Sequence, residues 1–219
     1  MIGTRLLRAH PPPEASGFPT VAAMVPHAPQ PDGHPDFQGD IERILIDRTR
    51  IATRVAEMGT QIASDLELTT GADRLVVVPV LTGALVFTAD LVRTMPMRLR
   101  LELIEASSYP GRATRSQGVT LGAGPTETLA NAHVLIVDDI FDSGRTLAAV
   151  TRLVAEHNPA SMRTAVLLRK LVERASDVSP DMEPDYIGFD VPDAFVVGYG
   201  LDHDGWYRNL PDIGVLQGA

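Results

Sequence analysis

The chain has 219 residues, 44% hydrophobic and 21% charged, with a mean hydropathy of +0.04, which supplies one sizeable core and argues against wholesale disorder. A formal net charge of −9 disfavours non-specific binding to nucleic acid or anionic membranes, although nests of backbone N–H groups can still bind phosphate in an acidic protein. The sequence has no cysteine, which excludes disulfides, thiolate catalysis and cysteine-based zinc sites; no apolar run is of transmembrane length, so a cytoplasmic protein is expected.

Residues 1–38 hold eight of the 17 prolines and three of the six histidines, without sustained periodicity. They read as a disordered tail ahead of a single domain over 39–219. Ile44-Leu45-Ile46 is a short strand, and Asp47 is the expected N-cap of a helix from about Arg48 to Leu66, whose apolar face is Ile51, Val55, Met58 and Ile62. Arg74–Val80 has the valine-rich composition of a strand buried on both faces. A loop at Leu81-Thr82-Gly83 leads into a helix through Val86, Asp90 and Val92. Arg98–Glu105 alternates as a half-exposed strand does. Ser107–Asn131 loses periodicity and carries several glycines, which marks a functional or mobile loop. His133–Val137 (strand), Gly144–His157 (helix), Arg163–Leu168 (strand) and two short strands near Tyr186–Phe189 and Phe195–Tyr199 follow, before a strand-poor C-terminus. Alternating strands and helices predict an α/β fold around a twisted, mostly parallel sheet.

The most informative stretch is Val134-Leu135-Ile136-Val137-Asp138-Asp139-Ile140-Phe141-Asp142-Ser143-Gly144-Arg145-Thr146. It reads as a buried strand, an acidic turn carrying Asp138, Asp139 and Asp142, and a helix start. Ligands of open α/β sheets bind beyond the carboxyl ends of the strands. A helix N-terminus behind a glycine offers N–H groups to a phosphate, and Ser143 and Thr146 add hydroxyls. Asp138 and Asp139 can accept hydrogen bonds from sugar hydroxyls or face a cation that the sugar also binds. The order strand, acid pair, phosphate loop describes a ribose 5-phosphate site. G-x-x-x-x-G-K-[ST] and G-x-S-x-G are both absent.

This segment resembles the binding motif for phosphoribosyl pyrophosphate of the type I phosphoribosyltransferases. Further matches are to the hypoxanthine/guanine branch. Val80-Leu81-Thr82-Gly83-Ala84 is similar to its pyrophosphate loop, and Ser107-Ser108-Tyr109 to the start of its mobile loop. Asp185–Phe189 and Pro192–Asp202 are similar to its purine-binding segment, and Arg208-Asn209-Leu210-Pro211 to its closing arginine motif.

The resemblance implies the type I phosphoribosyltransferase fold with a small hood, and transfer of a phosphoribosyl group to a 6-oxopurine with Mg2+. It implies that Asp138 and Asp139 hold the ribose hydroxyls, that Asp142 accepts the purine proton, and that Ser143, Gly144, Arg145 and Thr146 bind the 5′-phosphate. Thr82, Gly83 and Arg208 would contact pyrophosphate. Lys170 would read the purine 6-oxygen, Phe195 would stack on the base, and the Val196 backbone would touch its edge. Asp202 would help bind the metal, and a loop carrying Ser108 and Tyr109 would exclude water. A homodimer or homotetramer is implied, with no nucleic-acid or membrane partner. The chain departs from the family at Thr82, where lysine is frequent, and at Asp138, where glutamate is common. The alternatives are a phosphoribosyl pyrophosphate-binding regulator without catalysis, and a xanthine or pyrimidine phosphoribosyltransferase.

Overall fold

The computed structural model describes residues 39–70, 75–106, 119–121, 129–173 and 175–218. The expected tail, together with Ser108 and Tyr109, lies outside the described residues. The elements are β1 (Ile41–Ile46), α1 (Arg48–Thr70), β2 (Leu75–Leu81), α2 (Leu85–Arg93), β3 (Leu99–Leu101), β4 (Ile104–Ala106), β5 (Val119–Leu121), β6 (His133–Phe141), α3 (Arg145–Ala155), β7 (Ser161–Lys170), β8 (Tyr186–Val191), β9 (Val196–Val197) and β10 (Ile213–Leu216).

α1 starts where its sequence specifies. Asp47 Oδ1 accepts the N–H groups of Thr49 and Arg50, each at 3.0 Å, so two donors left unpaired at the helix start find a partner. Ile51, Val55, Met58, Ile62 and Leu66 then recur on one face, and all are buried. On β2, Leu75 and Val77 join the core beneath α1 and α2, whereas Val76, Val78 and Val80 join the core that holds Leu147, Val150 and Val154 of α3. Both faces of the strand are therefore covered, which explains its unbroken apolar sequence.

The main sheet has the order β5-β4-β2-β6-β7-β8, with β3 pairing beside β4 on the same edge of β2. All its pairings are parallel except β4 with β5. A separate antiparallel sheet, β1-β10-β9, forms the hood. The expected architecture is thus present. From β2 the chain moves outward through α2 to β3 and β4, then returns on the other side of β2 to lay down β6. The connections leaving the carboxyl ends of β2 and β6 diverge, which opens a crevice between neighbouring strands.

Four expectations need correction. The strand expected over Arg98–Glu105 is broken into β3 and β4. The Glu102 N–H reaches the Val77 carbonyl at 3.0 Å, but the next residue facing that edge is Pro79, which has no N–H to give. The turn expected at Asp138 and Asp139 is strand: β6 continues to Phe141 because β7 pairs with it throughout, Asp138 opposite Val166 and Phe141 opposite Arg169. The C-terminus is not strand-poor, since Ile213–Leu216 is a fully buried strand between β1 and β9. Within the expected loop, Val119–Leu121 pairs with β4.

Candidate active site beyond the strand ends

At the end of β6, Asp138 is 4% exposed, and its Oδ1 accepts the N–H of Asp139 at 3.0 Å. Asp139 Oδ1 in turn accepts the Ile140 N–H at 2.8 Å. Burial, reinforced by the neighbouring Asp139 carboxylate, pushes Asp138 well above the ordinary carboxylate range. Burial also raises Asp139, against the lowering effect of its hydrogen bonds and of the Arg208 charge.

Two glycines from other segments close around this acid. A Cβ on Gly83 would collide with the Asp139 carboxylate, meeting its Cγ at 2.6 Å. A Cβ on Gly200, which holds a φ of +105°, would collide with the Gly83 carbonyl oxygen. The end of β6, the loop after β2 and the hood are therefore stacked backbone on side chain without space for a methyl group. The Leu81–Thr82 peptide in this loop is cis, and Thr82 is exposed.

Three residues beyond β6 the chain enters the α3 start. Gly144 caps it with a φ of +83°, and no side chain caps the first turn. Its N–H groups are therefore available to an anion, where helix termini attract one. Ser143 and Thr146 are half-buried beside them. The segment after β7 braces this turn: the Ala175 N–H reaches the Ser143 carbonyl at 3.2 Å, and Val178 lies against Gly144. The Arg145 guanidinium donates to Asp177 at 2.9 Å, so this arginine offers the cradle its backbone while its charge faces the brace.

At the end of β7 the Lys170 side chain is 13% exposed, and its Nζ lies 3.1 Å from Asp142 Oδ2 and 3.3 Å from Asp193 Oδ1. Arg169 has a different environment. It forms two hydrogen bonds to Asp190, at 2.6 and 3.0 Å, and one to Glu183 at 3.1 Å. These carboxylates raise its pKa further and leave it a structural cation.

The hood supplies the remaining residues. Phe195 is 41% exposed, with the His203 ring edge-on at 5.0 Å between centroids. Val196 is buried and pairs with Val215. Arg208 donates through Nη1 to the Gly200 carbonyl at 2.7 Å and pairs through Nη2 with Asp202 Oδ1, also at 2.7 Å. The other oxygen of Asp202 accepts the Gly205 N–H at 2.7 Å. Between them His203 and Trp206 exchange backbone hydrogen bonds around Asp204-Gly205, both at positive φ. An Asp-Gly pair between hairpin partners is a strong turn signal, and it is the sequence cue to this part of the site that the motif reading left aside. Trp206 is 65% exposed at the edge of that turn.

The structure thus brings together Asp139, Gly83 and Arg208 in one place, and Asp142, Lys170 and Asp193 in another, with the uncapped α3 start in the same turn as Asp142. Asp177 and Asp193, which the sequence reading left unassigned, make the bonds that orient Arg145 and Lys170. The arrangement offers an anion cradle, a carboxylate able to take a proton, an ammonium donor and a guanidinium.

The phosphoribosyl transferase domain family matches residues 47–204. The hypoxanthine-guanine phosphoribosyltransferase of Mycobacterium tuberculosis is 42% identical over 185 residues, 83% of this chain and 89% of that protein. That of Bacillus subtilis is 37% identical over 180 residues, 82% and 96% of the two chains. Among solved structures, a hypoxanthine phosphoribosyltransferase from Staphylococcus aureus is similar with a TM-score of 0.73 at 33% identity, covering 85% of this chain and 97% of that one.

Proposed function

The chain belongs to the phosphoribosyl transferase family, and we propose that it is a purine-salvage enzyme, transferring the 5-phosphoribosyl group from phosphoribosyl pyrophosphate to hypoxanthine and to guanine. The products are the nucleoside monophosphate and pyrophosphate. One observation carries this reading: Asp142 shares one turn with the uncapped α3 start and pairs with Lys170 at the end of β7, so a phosphate cradle and a base reader stand side by side.

In this reading the 5′-phosphate sits on the N–H groups of Ser143, Gly144, Arg145 and Thr146, and the ribose hydroxyls face Asp138 and Asp139. The base stacks on Phe195 beside the Val196 backbone, its 6-oxygen accepts from Lys170, and Asp142 takes the proton that the ring nitrogen gives up. Proton transfer to a positioned base is typically worth about 10²–10⁴-fold. Arg208, with the backbone at Thr82 and Gly83, offsets charge as it develops on the leaving pyrophosphate.

Among the described residues no three His, Asp or Glu side chains converge to hold a metal. Asp202 is a lone oxygen donor beside the pyrophosphate arginine, which suits Mg2+, an ion that prefers one or two carboxylates with substrate oxygens and water for the rest. Bound there, Mg2+ would supply further neutralisation of the leaving group. Asp142, Lys170 and Arg208 are all in place, which favours the enzyme over a regulator that binds phosphoribosyl pyrophosphate without turnover. We place residues 1–38 outside the catalytic domain over 39–219, and expect a cytoplasmic homodimer or homotetramer. No helix among the described residues is long and apolar enough to cross a membrane.

Pyrophosphate release measured with hypoxanthine, guanine, xanthine, adenine and uracil tests the assignment. Turnover with hypoxanthine and guanine is the expected result. Turnover confined to xanthine or uracil moves the protein to another specificity, and binding of phosphoribosyl pyrophosphate without turnover moves it to the regulator class.

A further inference from the structure

An ammonium group has three donors and no acceptor. In this structure Lys170 gives two of its directions to carboxylates on different elements: Asp142 on the turn after β6 at 3.1 Å, and Asp193 on the loop between β8 and β9 at 3.3 Å. The other cation at this strand end, Arg169, is held by Asp190 and Glu183. Asp193 also lies two residues before Phe195, and its loop is pinned to the end of β7 by the Leu171 N–H on the Val191 carbonyl at 3.1 Å.

We propose that Asp193 is a positioning residue for base recognition, which holds the Lys170 ammonium between its own carboxylate and that of Asp142 and aims its third N–H at the 6-substituent of the purine. This rests on the purine-site reading of Lys170 and Asp142 given above. With Asp142 as its sole anion, a side chain 13% exposed would settle on that carboxylate and occupy the oxygens that the base needs. With two anions the ammonium stands between them. The geometry also ties the base reader to the segment that carries Phe195, so the two base contacts are set by one bond. Asp193 itself is 72% exposed, so it can be changed without leaving a buried unpaired group.

The test is steady-state kinetics of the full chain carrying Asp193→Asn, Asp193→Glu, Lys170→Met, and Asp193→Asn combined with Lys170→Met, with melting temperatures as a check of folding. Asp193→Asn is expected to raise KM for hypoxanthine about threefold, the scale of an ion pair with one exposed partner, and to leave KM for phosphoribosyl pyrophosphate unchanged. Asp193→Glu restores most of the loss, and in the Lys170→Met background the Asn substitution has no further effect. The proposal is overturned if Asp193→Asn behaves as wild type while Lys170→Met is impaired. It is also overturned if both KM values rise together, or if the effect survives without Lys170. If Lys170→Met itself handles hypoxanthine as the native chain does, the purine-site reading fails, and the role of Asp193 fails with it.

Discussion

Gly83→Ala isolates the packing of the loop after β2 against the acid at the end of β6. Gly83 is not in the left-handed region, so the added methyl group strains no backbone torsion and its effect is steric alone. The new Cβ would meet Asp139 Cγ at 2.6 Å, whereas non-bonded carbons rest at about 3.5–4.0 Å. The carboxylate must therefore move by about 1 Å, which breaks its 2.8 Å bond to the Ile140 N–H. Overpacking of this kind costs about 1–3 kcal/mol, or a few degrees to about 10 °C in Tm for a chain of this length. The larger consequence is catalytic, because a 1 Å misplacement of an active-site group can cost about 10²-fold. We expect kcat/KM for phosphoribosyl pyrophosphate to fall on that order. Gly218→Ala is the control: φ is +74° but nothing lies within 4 Å of its Cβ, so it should lose about 1 kcal/mol of stability and keep its activity. Wild-type kcat/KM in Gly83→Ala, or an equal loss in Gly218→Ala, would refute the reasoning.

Asp142→Asn should bind phosphoribosyl pyrophosphate as the native chain does but turn over about 10²–10⁴-fold more slowly, measured by single-turnover kinetics so that product release does not mask chemistry. Lys170→Ala should lose most kcat/KM for hypoxanthine and narrow its advantage over adenine, a gap that can reach about 10⁴–10⁵ where a site is built on a substrate hydrogen bond; an unchanged ratio of the two bases would remove Lys170 from base selection. Asp212 is held below the ordinary carboxylate range chiefly by hydrogen bonds from Arg48. A depressed carboxylate stabilises the fold above its unfolded value of about 3.9 and loses that contribution as pH falls through the lower folded value. Acid melts should therefore show native Asp212 losing its advantage over Asp212→Asn only below about pH 4, with the gap at neutral pH about 1–2 kcal/mol. A chain beginning near Pro35 should melt close to the full-length protein with unchanged kcat/KM, because residues 1–38 offer little apolar periodicity to offset the entropy of ordering.

The parts of the fold legible in the sequence were those in which one segment contains its own explanation. The Asp47 cap, the α1 face and the doubly buried β2 each follow from local spacing. What stayed hidden depends on partners far along the chain. β6 runs through Asp138 and Asp139 because β7 supplies the ladder, β3 parts from β4 opposite a proline on another strand, and four residues at Ile213–Leu216 become a strand between β1 and β9. The site divides in the same way. Asp142 stands out within its own acidic segment, whereas Lys170 and Arg208 are reached through the family resemblance, and their bonds to Asp142, Asp193 and Asp202 cross loops whose approach no periodicity encodes. Arg169 and Lys170 are adjacent and similarly charged in sequence, and only the positions of Asp190 and Glu183 separate a structural cation from one available to a substrate.

The hairpin at His203–Trp206 gives the hood its own optical sensor. Trp206 is the only tryptophan in the chain, it is largely open to solvent, and it is two residues from Arg208 and four from Asp202. Emission excited at the indole band therefore comes from this turn alone, without contribution from the sheet or the helices. On the proposed role of Arg208, a ligand that draws it away from Asp202 changes the charge within this same hairpin region, so occupancy of that side of the site should be readable by intrinsic fluorescence with no label and no turnover.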